Sequence, residues 1–143
     1  MTITEHSFSS KRHTSFYLSC GPEDGLPIIM LHGWPDLSIG WEEQLKFFGA
    51  QGYHAIAPDM RGYGSSSIPE NQSDYCMKEI VVDMMELLSS LGHKEAIWVG
   101  HDWGSPVVWN IALHHPEAVK GLVSLCVSSS TTVVLPLVVK AIL

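Results

Sequence analysis

Gly100-His101-Asp102-Trp103-Gly104 is the stretch that most constrains this chain. It follows Ala96-Ile97-Trp98-Val99-Gly100, which reads as a short buried strand. It precedes residues 104–115, which read as a helix that stops before Pro116. A strand running directly into a helix must turn sharply at the junction. Glycines two residues either side of Asp102 give that turn its room. The spacing is that of a nucleophile elbow, with Asp where Ser is the usual residue.

The change from Ser to Asp decides the chemistry such a turn supports. A serine that attacks an alkyl carbon leaves an ether, which is a dead end. A carboxylate that attacks an alkyl carbon leaves an ester, and water can then attack the ester carbonyl. An elbow with Asp therefore points to an electrophilic sp3 carbon, as in an epoxide or an alkyl halide. The competing reading is a buried Asp that caps the following helix.

A second motif bears on this choice. Pro27-Ile28-Ile29-Met30-Leu31 reads as a buried strand, and His32-Gly33-Trp34-Pro35-Asp36 follows at once. A His-Gly loop after such a strand is where half of an oxyanion hole is built. The expected donors are the backbone N–H groups of Trp34 and Trp103. Removing one donor of this kind typically costs about 2.7–4 kcal/mol of barrier. Taken alone, the stretch is also compatible with an ordinary Gly-Pro turn.

Strands and helices alternate along the rest of the chain. Residues 5–10 and 13–20 read as a leading hairpin, 53–57 as a strand ended by Pro58, and 121–126 as a further strand. A helix is expected over 38–50, with Trp41, Leu45 and Phe48 on one face. Another is expected over 76–91, where Met77, Ile80, Val81, Met84, Leu87, Leu88 and Leu91 form an apolar stripe assigned to the core. The Gly- and Ser-rich loop 59–73 carries Asp59 and Arg61, expected to form a structural ion pair with each other. This order implies an α/β fold, a mostly parallel sheet with a leading antiparallel hairpin and helices on both faces.

Together these stretches resemble the N-terminal half of the catalytic domain of a soluble epoxide hydrolase, within the α/β-hydrolase superfamily. The resemblance rests on His32-Gly33-Trp34-Pro35-Asp36 with Trp41, and on Asp59-Met60-Arg61-Gly62-Tyr63-Gly64-Ser65-Ser66. It rests also on Asp74-Tyr75-Cys76-Met77, Gly100-His101-Asp102-Trp103-Gly104, His115-Pro116-Glu117 and Gly121-Leu122-Val123-Ser124-Leu125. It covers about residues 10–127. It implies that Asp102 is the nucleophile, that Trp34 and Trp103 give the oxyanion amides, and that Trp34, Pro35 and Trp103 line the substrate's place. The implied substrate is a small epoxide, with an alkyl halide as the alternative.

The resemblance also implies groups that cannot be placed here. A helical cap with two tyrosines is expected after the strand at 121–126, and later an acid and a histidine that activate water. The last acidic residue is Glu117 and the last histidine is His115. The four tyrosines, 17, 53, 63 and 75, all precede the elbow. Among the histidines, His32 is expected to brace its turn and His101 to point into packing, while His114 and His115 end a helix. Residues 1–127 are therefore expected to be a truncated α/β-hydrolase core that does not turn over alone. Residues 128–143 are expected to be a divergent apolar tail, from a shortened or alternatively spliced reading frame. Its 11-residue apolar end, with Pro136 and Lys140, is too short to span a bilayer.

Composition narrows the remaining classes. The chain has 143 residues, 45% of them hydrophobic, and a net charge of −7. The acidic balance leaves no basic patch for nucleic acid. Cys20, Cys76 and Cys126 are odd in number and far apart, and read as reduced structural thiols in a cytoplasmic protein. There is no CxxC pair, no metal-ligand spacing and no phosphate loop, so neither a metal nor a cofactor is expected. The sheet edge left open after residue 126 offers a surface for association. A chain of this kind that binds a partner without catalysis is the second function class.

Overall fold

The computed structural model describes residues 1–126. The tail at 128–143 and the expected boundary at 127 lie outside the described residues. Among the described residues, six strands make one sheet, β1 (Thr4–Ser9), β2 (Thr14–Cys20), β3 (Pro27–Leu31), β4 (His54–Pro58), β5 (Ala96–His101) and β6 (Val119–Leu125). Their order across the sheet is β1-β2-β4-β3-β5-β6. The hairpin β1–β2 docks antiparallel on β4, and β4, β3, β5 and β6 run parallel. This is the α/β architecture that the alternation of elements predicts.

Three α-helices among the described residues cover the sheet, α1 (Glu42–Ala50), α2 (Met77–Ser90) and α3 (Gly104–His114). Alternate residues of β3, β4 and β5 feed two separate cores, because successive side chains point to opposite faces. Ile29 and Leu31 of β3 join Ile56, Trp98, Met84, Leu88, Val108 and Ile111 under α2 and α3. Ile28 and Met30 join Leu18, Ala55, Ala57 and Leu45 under α1. Burial on both faces explains why β3 reads as an unbroken apolar run. The stripe of α2 packs as expected, with Val81, Met84, Leu87 and Leu88 buried.

Several boundaries move by a few residues. The helix expected from 38 begins as a 3-10 turn, Ser38–Trp41, before α1 proper. Pro58 is the last residue of β4, opposite Tyr17 in the ladder, rather than the first residue beyond it. β6 starts at Val119, directly after a 3-10 turn at Pro116–Ala118. All three cysteines are free thiols, and only Cys20 is buried. Cys76 sits at the exposed start of α2 and Cys126 just past β6.

Candidate active site

β5 delivers its C-terminal end to a one-residue corner. Asp102 has φ +50°, the left-handed region that non-glycine residues seldom enter, and α3 begins two residues later. Four contacts hold the corner. The Asp102 N–H donates to the Leu125 carbonyl at 3.2 Å, and the Ser105 N–H to the Asp102 carbonyl at 3.0 Å. The Ser105 hydroxyl reaches both the Gly100 carbonyl (2.8 Å) and the Leu125 carbonyl (3.0 Å). The flanking glycines serve close approach rather than unusual torsion, since the positive φ belongs to Asp102 itself. A Cβ on Gly100 would meet the Gly104 carbonyl, and a Cβ on Gly104 would meet the Leu31 carbonyl.

The Asp102 side chain leaves its own helix and turns to the loop after β3. The Trp34 N–H donates to Asp102 Oδ1 at 2.9 Å. This hydrogen bond first, and that of the Trp103 N–H second, hold the carboxyl below the usual carboxylate range. No side chain caps α3, so the helix-cap reading of Asp102 does not describe this carboxylate. Gly33 is glycine for the same contact, because a Cβ there would run into Asp102 Cβ and its carboxylate.

His32 fixes the position of that loop. It is fully buried, and its Nδ1–H donates to the Gly33 carbonyl at 2.8 Å. Its Nε2 accepts from the Met60 N–H at 3.0 Å. Both nitrogens are used, so the tautomer is set by its partners. Burial, the largest effect, lowers its pKa and keeps it neutral. The Tyr63 ring packs edge-on against it at 4.8 Å between centroids.

The expected ion pair between Asp59 and Arg61 does not form. The Asp59 carboxylate accepts backbone N–H groups from Ser38 (2.8 Å) and Ser65 (3.1 Å), tying the loops after β3 and β4 together. Arg61 points the other way, to Asp83 of α2, with Nε on Oδ2 and Nη2 on Oδ1, both at 2.7 Å. Both side chains are buried, and Arg12 also reaches Asp83 at 3.2 Å. Asp83 was the readable signal, since it stands on the apolar stripe of α2 three residues after Ile80. A carboxylate on a buried stripe requires a cationic partner.

Trp34 is 67% exposed and Trp103 61%, so two large apolar rings stand in the open beside the carboxylate. The Trp34–Pro35 peptide is cis. A cleft of about 410 Å³ opens against Trp103, walled by Met60, Tyr63, Tyr75, Met77 and Ile80. Part of the α2 stripe assigned to the core thus lines this cleft. No histidine among the described residues hydrogen-bonds to Asp102. His101 is half-buried next to it, and His115 lies 3.5 Å from Glu117.

The residue pattern of the alpha/beta hydrolase fold family matches residues 27–142. The chain belongs to that family. It is 43% identical over 106 residues to epoxide hydrolase A of Mycobacterium tuberculosis, covering 73% of this chain and 33% of that protein. It is 44% identical over 103 residues to epoxide hydrolase 2 of Siraitia grosvenorii, covering 72% of this chain and 33% of that one. Among solved structures, epoxide hydrolase A from Mycobacterium thermoresistibile superposes with a TM-score of 0.83 at 36% identity, over 86% of this chain and 39% of that one. The chain thus matches part of an epoxide hydrolase domain and spans about a third of the length of these curated relatives. No helix among the described residues is long and apolar enough to cross a membrane.

Proposed function

We propose that this chain carries the ester-forming half of an epoxide hydrolase. Asp102 Oδ attacks a ring carbon of a small epoxide. The carbon–oxygen bond breaks, its electron pair stays on the epoxide oxygen, and that oxygen takes a proton from solvent. The product is an alkyl ester on Asp102. In a full-length epoxide hydrolase that supplies a base, water would then add at the Asp102 carboxyl carbon, the oxyanion would face the N–H groups of Trp34 and Trp103, and collapse would release a diol and restore the carboxylate. Trp34, Pro35 and Trp103 flank the reacting carbon.

The observation that carries this reading is the Asp102 carboxylate, held low in pKa by Trp34 and Trp103 amides at the end of a parallel strand. It is ionised at neutral pH and needs no base to act as a nucleophile. The second step does need a base within hydrogen-bond reach of the water. His32, the nearest buried histidine, already spends both nitrogens on Gly33 and Met60. The reading is therefore ester formation without turnover by this chain alone.

Intact-mass measurement with a terminal epoxide tests this. The expected result is one adduct per chain, on the peptide that contains Asp102, absent in Asp102→Asn, with no more than one diol per chain. Repeated turnover lost on Asp102→Ala would overturn the single-turnover claim, and an adduct elsewhere would overturn the nucleophile. The exposed Trp103 favours a second reading, attack on an alkyl halide with the Trp103 indole N–H receiving the halide. Halide release in the same assay decides between them. A binding role rests on Val123 and Leu125, which stand exposed on β6 with no further strand beside them among the described residues. Association with a second chain through that edge, measured by sedimentation and lost on Val123→Lys, is its test.

A further inference from the structure

The apolar stripe of α2 runs on past the core. Val81, Met84, Leu87 and Leu88 are buried, but Met77 and Ile80, at the start of the helix, are only half-buried. They face the cleft of about 410 Å³ whose other walls include Met60, Tyr63, Tyr75 and Trp103. Contiguous apolar surface left open in this way marks a place where something binds.

Two polar residues on the walls spend their polar groups elsewhere. Arg61 borders the cleft, but its guanidinium is held by the Asp83 carboxylate and the Asp74 carbonyl. The Tyr75 hydroxyl donates to the Pro69 carbonyl at 2.8 Å. These residues offer the cleft an aliphatic stem and a ring rather than a charge. The cleft also adjoins the reacting carboxylate. Trp103 follows Asp102 directly in the chain, and Tyr63 lies near enough for the Asp102 charge to add to burial in raising its pKa. The volume falls in the range of about 300–1,000 Å³ that holds small organic ligands. An epoxide ring alone would leave most of that space empty.

We propose that this cleft is the subsite for the epoxide's substituent, and that it selects terminal epoxides with an extended apolar group over the smallest ones. The inference rests on the reading of Asp102 as the nucleophile and adds which epoxides that nucleophile meets. The ring lies at Asp102 between Trp34 and Trp103. The substituent runs past Trp103 onto Met60, Met77 and Ile80. Thioethers are polarizable and flexible, so the two methionines adapt to the group that enters. The subsite therefore sorts by apolar size more than by exact shape. In a hydrophobic pocket a single methylene is worth about 10-fold or more in discrimination.

Two measurements on the full chain test this. Adduct formation by intact mass is compared for the terminal epoxides of octane and of propane, whose rings react alike. The expected result is an advantage of about 10-fold or more for the octane epoxide, lost in Ile80→Trp, which fills the cleft. Equal rates, or an advantage retained in Ile80→Trp, overturn the subsite and leave the nucleophile standing. Methyl 13C shifts of the methionines, read in the unmodified chain with the diol of octane, need neither reaction nor variant. Met60 and Met77 are expected to move, while Met30 and Met84, fully buried in the two cores, stay in place. Unmoved Met60 and Met77 overturn the subsite whatever Asp102 does, whereas their movement without any adduct overturns the nucleophile alone. Movement on dilution of the protein, and not with the diol, assigns the cleft to a second copy of the chain and overturns the subsite.

Discussion

The Trp34 N–H donates to Asp102 Oδ1 across 68 positions of sequence, at 2.9 Å. This hydrogen bond ties the loop after β3 to the corner after β5, and with the Trp103 N–H it keeps the carboxylate ionised. The rate of adduct formation is therefore expected to hold its plateau from about pH 7 to about pH 5, because a depressed carboxyl pKa lies below that window. A rate that falls inside this window, in step with one proton, would show a raised pKa and contradict the assignment.

Gly33→Ala tests how closely that contact is fitted. The new Cβ would overlap Asp102 Cβ and its carboxyl group. Displacing a reacting group by about 1 Å can cost about 100-fold in rate. Adduct formation followed by intact mass is expected to drop by about that factor while far-UV circular dichroism stays unchanged. An unaltered rate would mean that the loop yields freely.

Asp83→Ala is expected to be the most damaging change away from the site. It leaves the Arg61 guanidinium buried without its bidentate partner. Breaking a buried pair from one side costs about 3–5 kcal/mol. Urea denaturation measures this directly, and a loss below about 1 kcal/mol, the worth of a surface pair, would place the pair in effect at the surface.

Acid destabilisation is expected to begin near neutrality rather than at carboxylate pH. His13, His32 and His54 all have lowered pKa values, with burial the largest cause in each. Each binds its proton less readily folded than unfolded, so the unfolded chain holds more protons and stability rises with pH. Full stability is expected above about pH 7, with progressive loss as pH falls through the ordinary value of about 6.5 and below. Urea melts in EDTA at several pH values check this. A stability that is flat from pH 7.5 to about 5.5 would contradict it.

Most of the architecture was legible because the elements are local. An unbroken apolar run marked β3, the stripe from Met77 to Leu88 marked α2, and the Gly-flanked Asp102 marked the corner. Partnerships were less legible. Asp59 and Arg61 are two positions apart and suggested a pair, yet they face different elements, and the partner of Arg61 lies 22 positions on. Pairing across an α/β fold depends on which side of the sheet each loop residue faces, and a single sequence states this only indirectly. The carboxylate on the α2 stripe was that indirect statement. The Gly33–Asp102 contact and the dual role of the Ser105 hydroxyl left no comparable trace, because both depend on how β3, β5 and β6 align.

The hold of Leu125 on the corner also sets a timetable. Its carbonyl receives both the Asp102 N–H and the Ser105 hydroxyl. A nascent chain that has reached residue 118 has every residue of the corner and of α3, but not the acceptor that restrains the left-handed Asp102. During synthesis, the left-handed corner at Asp102 is thus restrained in full only after β6 has emerged and docked, so a strand that follows the corner by some twenty residues fixes its shape.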